Sequence, residues 1–171
     1  ISCVPDLVGG SVLLTTSGEH TVCARAQNGA GTWSDVACTV QGAYKIDKTD
    51  PSAPTFDPPS QDWVADDIIV SFSANDPESG ISGYRYCVTS DASCIPLVAG
   101  DNVTLVATGE HTICAQAQNG AGTWSSVSCS GQGAYKIDKT SPSGGSVSNY
   151  NDFQTSTTIV VTVDPGVDLH S

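Results

Sequence analysis

Gly109-Glu110-His111-Thr112-Ile113-Cys114-Ala115-Gln116-Ala117-Gln118-Asn119-Gly120-Ala121-Gly122 reads as one long strand delivered into a turn. Side chains alternate across an extended backbone, so His111, Ile113, Ala115 and Ala117 line one side and Thr112, Cys114, Gln116 and Gln118 the other. Asn119 to Gly122 supplies residues that accept positive φ, which turns the chain back into a strand ending at Tyr135-Lys136-Ile137. Around this hairpin, Ile68, Val70 and Phe72 share a face of a second strand, Tyr84 and Tyr86 share a face of a third, and Val103 to Val106 forms a shorter one. Helix signals are missing. Val, Ile, Thr and Tyr recur in short runs between Gly, Pro, Asn, Asp and Ser, so the fold class is all-β.

The same words occur twice. Glu19-His20-Thr21-Val22-Cys23-Ala24 through Lys45-Ile46-Asp47-Lys48-Thr49 returns 91 positions later as Glu110-His111-Thr112-Ile113-Cys114-Ala115 through Lys136-Ile137-Asp138-Lys139-Thr140. The register extends to Ser2-Cys3-Val4-Pro5 against Ser93-Cys94-Ile95-Pro96. Solenoid repeats run roughly 20 to 50 residues, so this period points to whole domains, one small β-sandwich per repeat. The expected organisation is the C-terminal part of a repeat over 1–49, a complete repeat over 50–140 and the N-terminal part of the next over 141–171. Thr158 to Val163 repeats the strand pattern of Asp67 to Phe72, and the stretch is expected to be a window from a longer array. Thr49-Asp50-Pro51-Ser52-Ala53-Pro54 and Thr140-Ser141-Pro142-Ser143-Gly144-Gly145 are short joints stiffened by proline, which predicts a semi-rigid rod.

Seven cysteines fall at regular spacing without Cys-x-x-Cys pairs, a pattern that favours disulfides over zinc and implies an oxidising compartment. Cys114 and Cys129 lie at matching distances from their turn, Cys23 and Cys38 do the same, and Cys87 and Cys94 bracket Thr89-Ser90-Asp91-Ala92. The pairings Cys87–Cys94, Cys114–Cys129 and Cys23–Cys38 are the first choice. Cys114 sits opposite in parity to Ile113 while Cys129 shares parity with Tyr135 and Ile137, so this choice needs a bulge. The rival pairing, Cys87 with Cys114 and Cys94 with Cys129, staples neighbouring strands and stays open. Cys3 is left for a partner outside this window or in another chain. A bridge closing a loop of about 15 residues is worth around 3 kcal/mol in the chain-entropy model.

With 18 acidic against 6 basic groups, the net charge is −12 and no Lys/Arg cluster exists to meet phosphates, which argues against nucleic-acid binding. No apolar run of membrane-spanning length and no targeting signal is present in this segment.

Four stations occur in order: Ser79-Gly80-Ile81-Ser82-Gly83-Tyr84-Arg85-Tyr86, Gly109-Glu110-His111-Thr112-Ile113, Ala117-Gln118-Asn119-Gly120-Ala121-Gly122, and Tyr135-Lys136-Ile137-Asp138-Lys139-Thr140-Ser141-Pro142. Together they resemble the bacterial immunoglobulin-like extracellular repeats of large surface proteins and adhesins. The resemblance implies tandem Ig-like sandwiches, a secreted or surface-attached parent, and a role as spacer or adhesive stalk. Such repeats often carry Asp where Asn28 and Asn119 stand, and cysteines are not general among them.

Candidate sites are few. Asp76 and Glu78, on the loop after Phe72, are possible Ca²⁺ ligands, with Asp66, Asp67 or a joint aspartate, Asp138 or Asp47, completing the set. No Asp-x-Asp-x-Asp loop is present, and solvated turn carboxylates account for them more plainly. Trp124 is a candidate sugar platform with Asn119 and Gln118 as hydrogen-bond partners, although packing over the sandwich edge explains it as well. His20 and His111 lie on the apolar parity of their strands, where a local hydrogen bond suffices. No Gly-x-Ser-x-Gly elbow or Ser-His-Asp set is visible, so no enzyme is expected. The expected function is a disulfide-stapled extracellular stalk or filament whose partners are neighbouring repeats or copies of itself, joined end to end by strand donation. The alternative is an adhesive module that recognises a glycan or surface protein through its loops.

Overall fold

The computed structural model describes residues 4–148, 158 and 160–168. Cys3 lies outside the described residues, as does much of the 149–171 stretch.

Fifteen strands and no helix are assigned among them. In chain order they are β1 (Gly18–His20), β2 (Cys23–Ala24), β3 (Ala37–Cys38), β4 (Tyr44–Ile46), β5 (Thr55–Asp57), β6 (Gln61–Val64), β7 (Ile68–Ser73) and β8 (Ile81–Thr89). There follow β9 (Val98–Ala99), β10 (Asn102–Leu105), β11 (Gly109–Asn119), β12 (Ser128–Cys129), β13 (Tyr135–Ile137), β14 (Ser146–Val147) and β15 (Val163–Asp164).

Two sheets make a sandwich between β5 and β13. One has the order β10-β7-β5; the other runs β6-β13-β11-β8-β9, with β12 also paired to β11. Alternation decides the packing. In β7, Ile68, Val70 and Phe72 are buried while the residues between them are exposed, and Val103 and Leu105 repeat the pattern in β10. From the opposite sheet, Ile113, Ala115, Tyr135 and Ile137 close the core, with Tyr84 and Tyr86 packed against it. The Phe72 ring meets Phe56 edge-on at 5.9 Å and Tyr86 at 5.6 Å, separations at which aromatic pairs attract beyond simple area burial. The Tyr135 hydroxyl, at the core edge, donates to Pro58 O at 2.8 Å.

The parity conflict at Cys129 is resolved by a change of register. Cys114 faces Cys129 on β12, whereas His111 faces Tyr135 on β13, so three extra residues lie between the two pairings. An odd insertion moves following side chains to the other face. The Ser130 hydroxyl accepts from Ile113 N at 3.0 Å, the Thr112 hydroxyl accepts from Gly133 N at 3.0 Å, and Gly133 takes φ +61°. Tyr135 and Ile137 thereby enter the core while Cys129 stays on the outer face.

Residues 18–46 repeat this local geometry. Cys23 faces Cys38 and His20 faces Tyr44, with the same three-residue shift, and Gly42 N donates to the Thr21 hydroxyl. Tyr44, however, is 48 % exposed where Tyr135 is fully buried. In the sandwich, β7 and β10 cover this face; among the described residues, β1 and β4 pair only with each other. No helix among the described residues is long and apolar enough to cross a membrane.

Candidate functional site

All three first-choice pairings form. Cys23–Cys38 and Cys114–Cys129 join directly opposed residues with Cα atoms 4.0 Å apart, and Cys87–Cys94 closes the turn after β8 with Cα atoms 6.2 Å apart. The rival pairing is not the one present, yet its geometric basis is: Cys87 is the cross-strand partner of Cys114.

The densest polar cluster lies where the chain leaving β4 meets the loops at one end of the sandwich. Asp47 Oδ1 accepts from the backbone N–H and hydroxyl of Thr49, both at 3.0 Å, an Asx turn that begins the joint. Its Oδ2 accepts from the Ser79 hydroxyl and from Asn119 Nδ2. These bonds hold the Asp47 carboxyl below the usual carboxylate range, with the Ser79 hydroxyl the largest cause and the Thr49 N–H next. Asp76 is buried and uses Oδ1 to cap the N–H groups of Glu78 and Ser79 at 3.1 and 2.8 Å.

Asn119 is the hub. Its Oδ1 accepts from Ala121 N at 3.1 Å and Thr123 N at 2.9 Å, and this fixes the orientation of the amide. Nδ2 must then face the joint, where Asp47 Oδ2 and Thr49 O lie at 2.9 Å and Asp76 Oδ2 at 3.1 Å. Only glycine fits next to it: a Cβ on Gly120 would stand 2.6 Å from Ser79 O. In the N-terminal copy, Asn28 makes the same two Oδ1 contacts, to Ala30 N and Thr32 N, both at 3.0 Å.

This arrangement changes the expected metal set. The joint aspartate brought to Asp76 and Glu78 is Asp47, and the three carboxylates each offer an oxygen within 4.8 Å of the others. Asp138 follows β13, whose pairing with Gly109 places it at the far end of β11 from Asn119; eleven strand residues span roughly 33 Å. Proximity alone does not make a calcium site. Calcium needs six to eight oxygens, whereas the Asp47 and Asp76 oxygens converge on the hydrogens of one amide. With the Asn119 NH₂ bonded to Asp47 Oδ2 and Asp76 Oδ2, those two oxygens serve the amide in this arrangement, and the carboxylates that remain fall short of a Ca²⁺ shell.

Of the candidate sugar-platform residues, Asn119 is 1 % exposed and its amide NH₂ faces the joint. The Trp124 ring lies under the Arg85 guanidinium, 3.8 Å from its centroid, which covers one stacking face. Trp33 holds the equivalent place in the first copy and carries Arg25 at 4.5 Å. His20 and His111 donate from Nε2 to Thr16 O and Ala107 O, each at 2.8 Å, which matches their local structural reading.

A shallow cleft of ≈ 340 Å³ borders the joint, lined by Glu19, Lys45, Asp47, Glu78 and Ser79 among others. Lys45 closes one wall through an ion pair with Glu19 at 2.6 Å, a contact that lowers the Glu19 pKa. Sequence reasoning found the Asn119 turn and the loop from Asp76 to Ser79 but missed the contacts that Ser79 and Asn119 make with Asp47.

No family model matches the chain, and no curated protein matches it. Among solved structures, it is similar to the fibronectin(III)-like modules of Clostridium thermocellum CbhA, at 13 % identity and a TM-score of 0.39, over 72 % of this chain. The chain spans 64 % of the length of that structure.

Proposed function

We propose that this chain is a structural, non-enzymatic extracellular repeat protein: tandem Ig-like sandwiches over 1–49, 50–140 and 141–171 that form a disulfide-stapled stalk or filament on a bacterial cell surface. The observation that carries this reading is the latch at Asp47, Ser79 and Asn119. It ties the segment following β4 to the loops of the next sandwich, so the joint resists bending as well as stretching. Disulfides at equal positions of both copies add resistance to unfolding and proteolysis, and suit a secreted location. The acidic surface keeps a long polymer soluble. Neighbours in this reading are further repeats or copies of the chain, with one chain's extended segment covering the open face that carries Tyr44. Electron microscopy of native material tests the proposal: beaded filaments with a spacing of one or two repeats are expected, and dispersed globular monomers would overturn it.

An adhesive module is the second reading, favoured by Trp33, 45 % exposed beside its turn. A glycan array tests it: binding abolished by Trp33→Ala would support it, and an array without binding would remove it.

A further inference from the structure

The cysteines of the sandwich stand in one row. Cys87, Cys114 and Cys129 are successive cross-strand partners on β8, β11 and β12. The sulfurs of Cys87, Cys94 and Cys114 lie within 4.8 Å of one another, so two separate disulfides sit side by side. Directly opposed residues put their side chains on the same face, and Cys114 therefore has two partners in equivalent register. It is bonded to one and next to the other.

We propose that Cys87, Cys94, Cys114 and Cys129 form a disulfide relay whose accessible ends, Cys94 and Cys129, are sites of modification by a small-molecule thiol. Cys129 is exposed and Cys94, on the loop between β8 and β9, is half-buried, whereas Cys114 is fully buried. An external thiolate entering at Cys129 Sγ expels the Cys114 thiolate, which attacks Cys87 Sγ and releases the Cys94 thiolate; the same thiolate can enter at Cys94. Its attack on Cys94 Sγ forms a mixed disulfide and expels the Cys87 thiolate. That thiolate attacks Cys114 Sγ, forming Cys87–Cys114 and releasing the Cys129 thiolate at the exposed edge. One thiolate enters, one leaves, and two disulfides remain two, so no oxidant or reductant is required. The thiolate released at Cys94 or Cys129 then either persists or closes on the Sγ of the other and returns the external thiol. In both outcomes the bridge between β8 and β11 replaces the one between β11 and β12. The relay is independent of the spacer reading.

The test uses the full chain with Cys3→Ser, so that glutathione is the only free thiol. After incubation with less than one equivalent and quenching with an alkylating reagent, non-reducing peptide mapping should show a Cys87–Cys114 peptide. Whichever of Cys94 and Cys129 did not take glutathione should be alkylated, or the two should be joined to each other, and exchange at Cys23–Cys38 should go no further than its own mixed disulfide. Glutathione on Cys94 with Cys87 alkylated and Cys114–Cys129 unchanged would overturn the proposal. So would an absence of any exchange under conditions that reduce Cys87–Cys94. Adding Cys94→Ser leaves Cys87 without its partner from the start: the alkylating label should then move from Cys87 to Cys129, and a label confined to Cys87 contradicts the relay.

Discussion

The Asn119 amide nitrogen lies 2.9 Å from Asp47 Oδ2, joining residues 72 positions apart where the chain leaving β4 meets the turn after β11. The same nitrogen faces Asp76 Oδ2 and Thr49 O, so one buried amide organises both a turn and a joint.

Removing that amide should be costly. Asn119→Ala leaves the buried Asp76 Oδ2 without its donor and uncaps Ala121 N and Thr123 N, each loss adding to the other. We expect a stability loss of about 2–4 kcal/mol in denaturant unfolding. Asn28→Ala removes only the exposed turn contacts of the first copy, and its expected cost is below about 1 kcal/mol.

Asn119→Asp replaces the NH₂ group with an oxygen facing Asp47 and Asp76. Three carboxylates then repel one another, and the variant should melt below the parent in chelator but recover on addition of Ca²⁺. The parent chain should melt at the same temperature with chelator or with Ca²⁺, because its amide already takes the Asp47 and Asp76 oxygens. A parent that loses thermal stability in chelator would show that the metal reading was right and the amide account wrong.

How much of this was legible beforehand follows from the range of each interaction. The β11 alternation and the turn at Asn119 depend on neighbours a few residues apart, and the core residues Ile68, Val70, Phe72, Ile113, Tyr135 and Ile137 followed from period-two patterning. Parity alone exposed the difficulty at Cys129, and the three-residue shift at Ser130 to Ala134 is the bulge that the pairing required. The choice of Asp47 over Asp138 was not legible, because it depends on which end of an eleven-residue strand meets the Asp76 loop. Nor was the Arg85 cover on Trp124, since the two copies supply that guanidinium from different positions of the repeat, Arg25 on the long strand's counterpart and Arg85 on the strand beside it.

Asp47 should report the joint's response to acid. Its folded pKa is depressed, so the bonds from the Ser79 hydroxyl and from Thr49 add stability above the unfolded value, and that stability is lost as pH falls through the folded one. The side-chain NH₂ resonances of Asn119 should therefore shift with a midpoint below the ordinary Asp value. A midpoint at or above that value would show that the Asp47 contacts are not held in solution.

Tyr135 sets the alkaline limit. Burial, helped by the Asp57 charge, pushes its hydroxyl up to about 12. The unfolded chain ionises near the ordinary tyrosine value while the folded one stays neutral, so stability is full below that value and falls between the two. The fall amounts to about 2–3 kcal/mol. Tyr135→Phe gives up the bond to Pro58 O, costs about 1 kcal/mol at neutral pH, and should flatten the alkaline decline in denaturant titrations.

The most direct test of the joint is a set of backbone residual dipolar couplings on the oxidised chain in weakly aligning medium. The latch at Asp47, Ser79 and Asn119 predicts that one alignment tensor fits the couplings of Gly18–Ile46 and Thr55–Ile137 together, and that Asn119→Ala separates them into two. Two independent tensors in the parent chain would contradict a joint that holds its neighbours in fixed orientation.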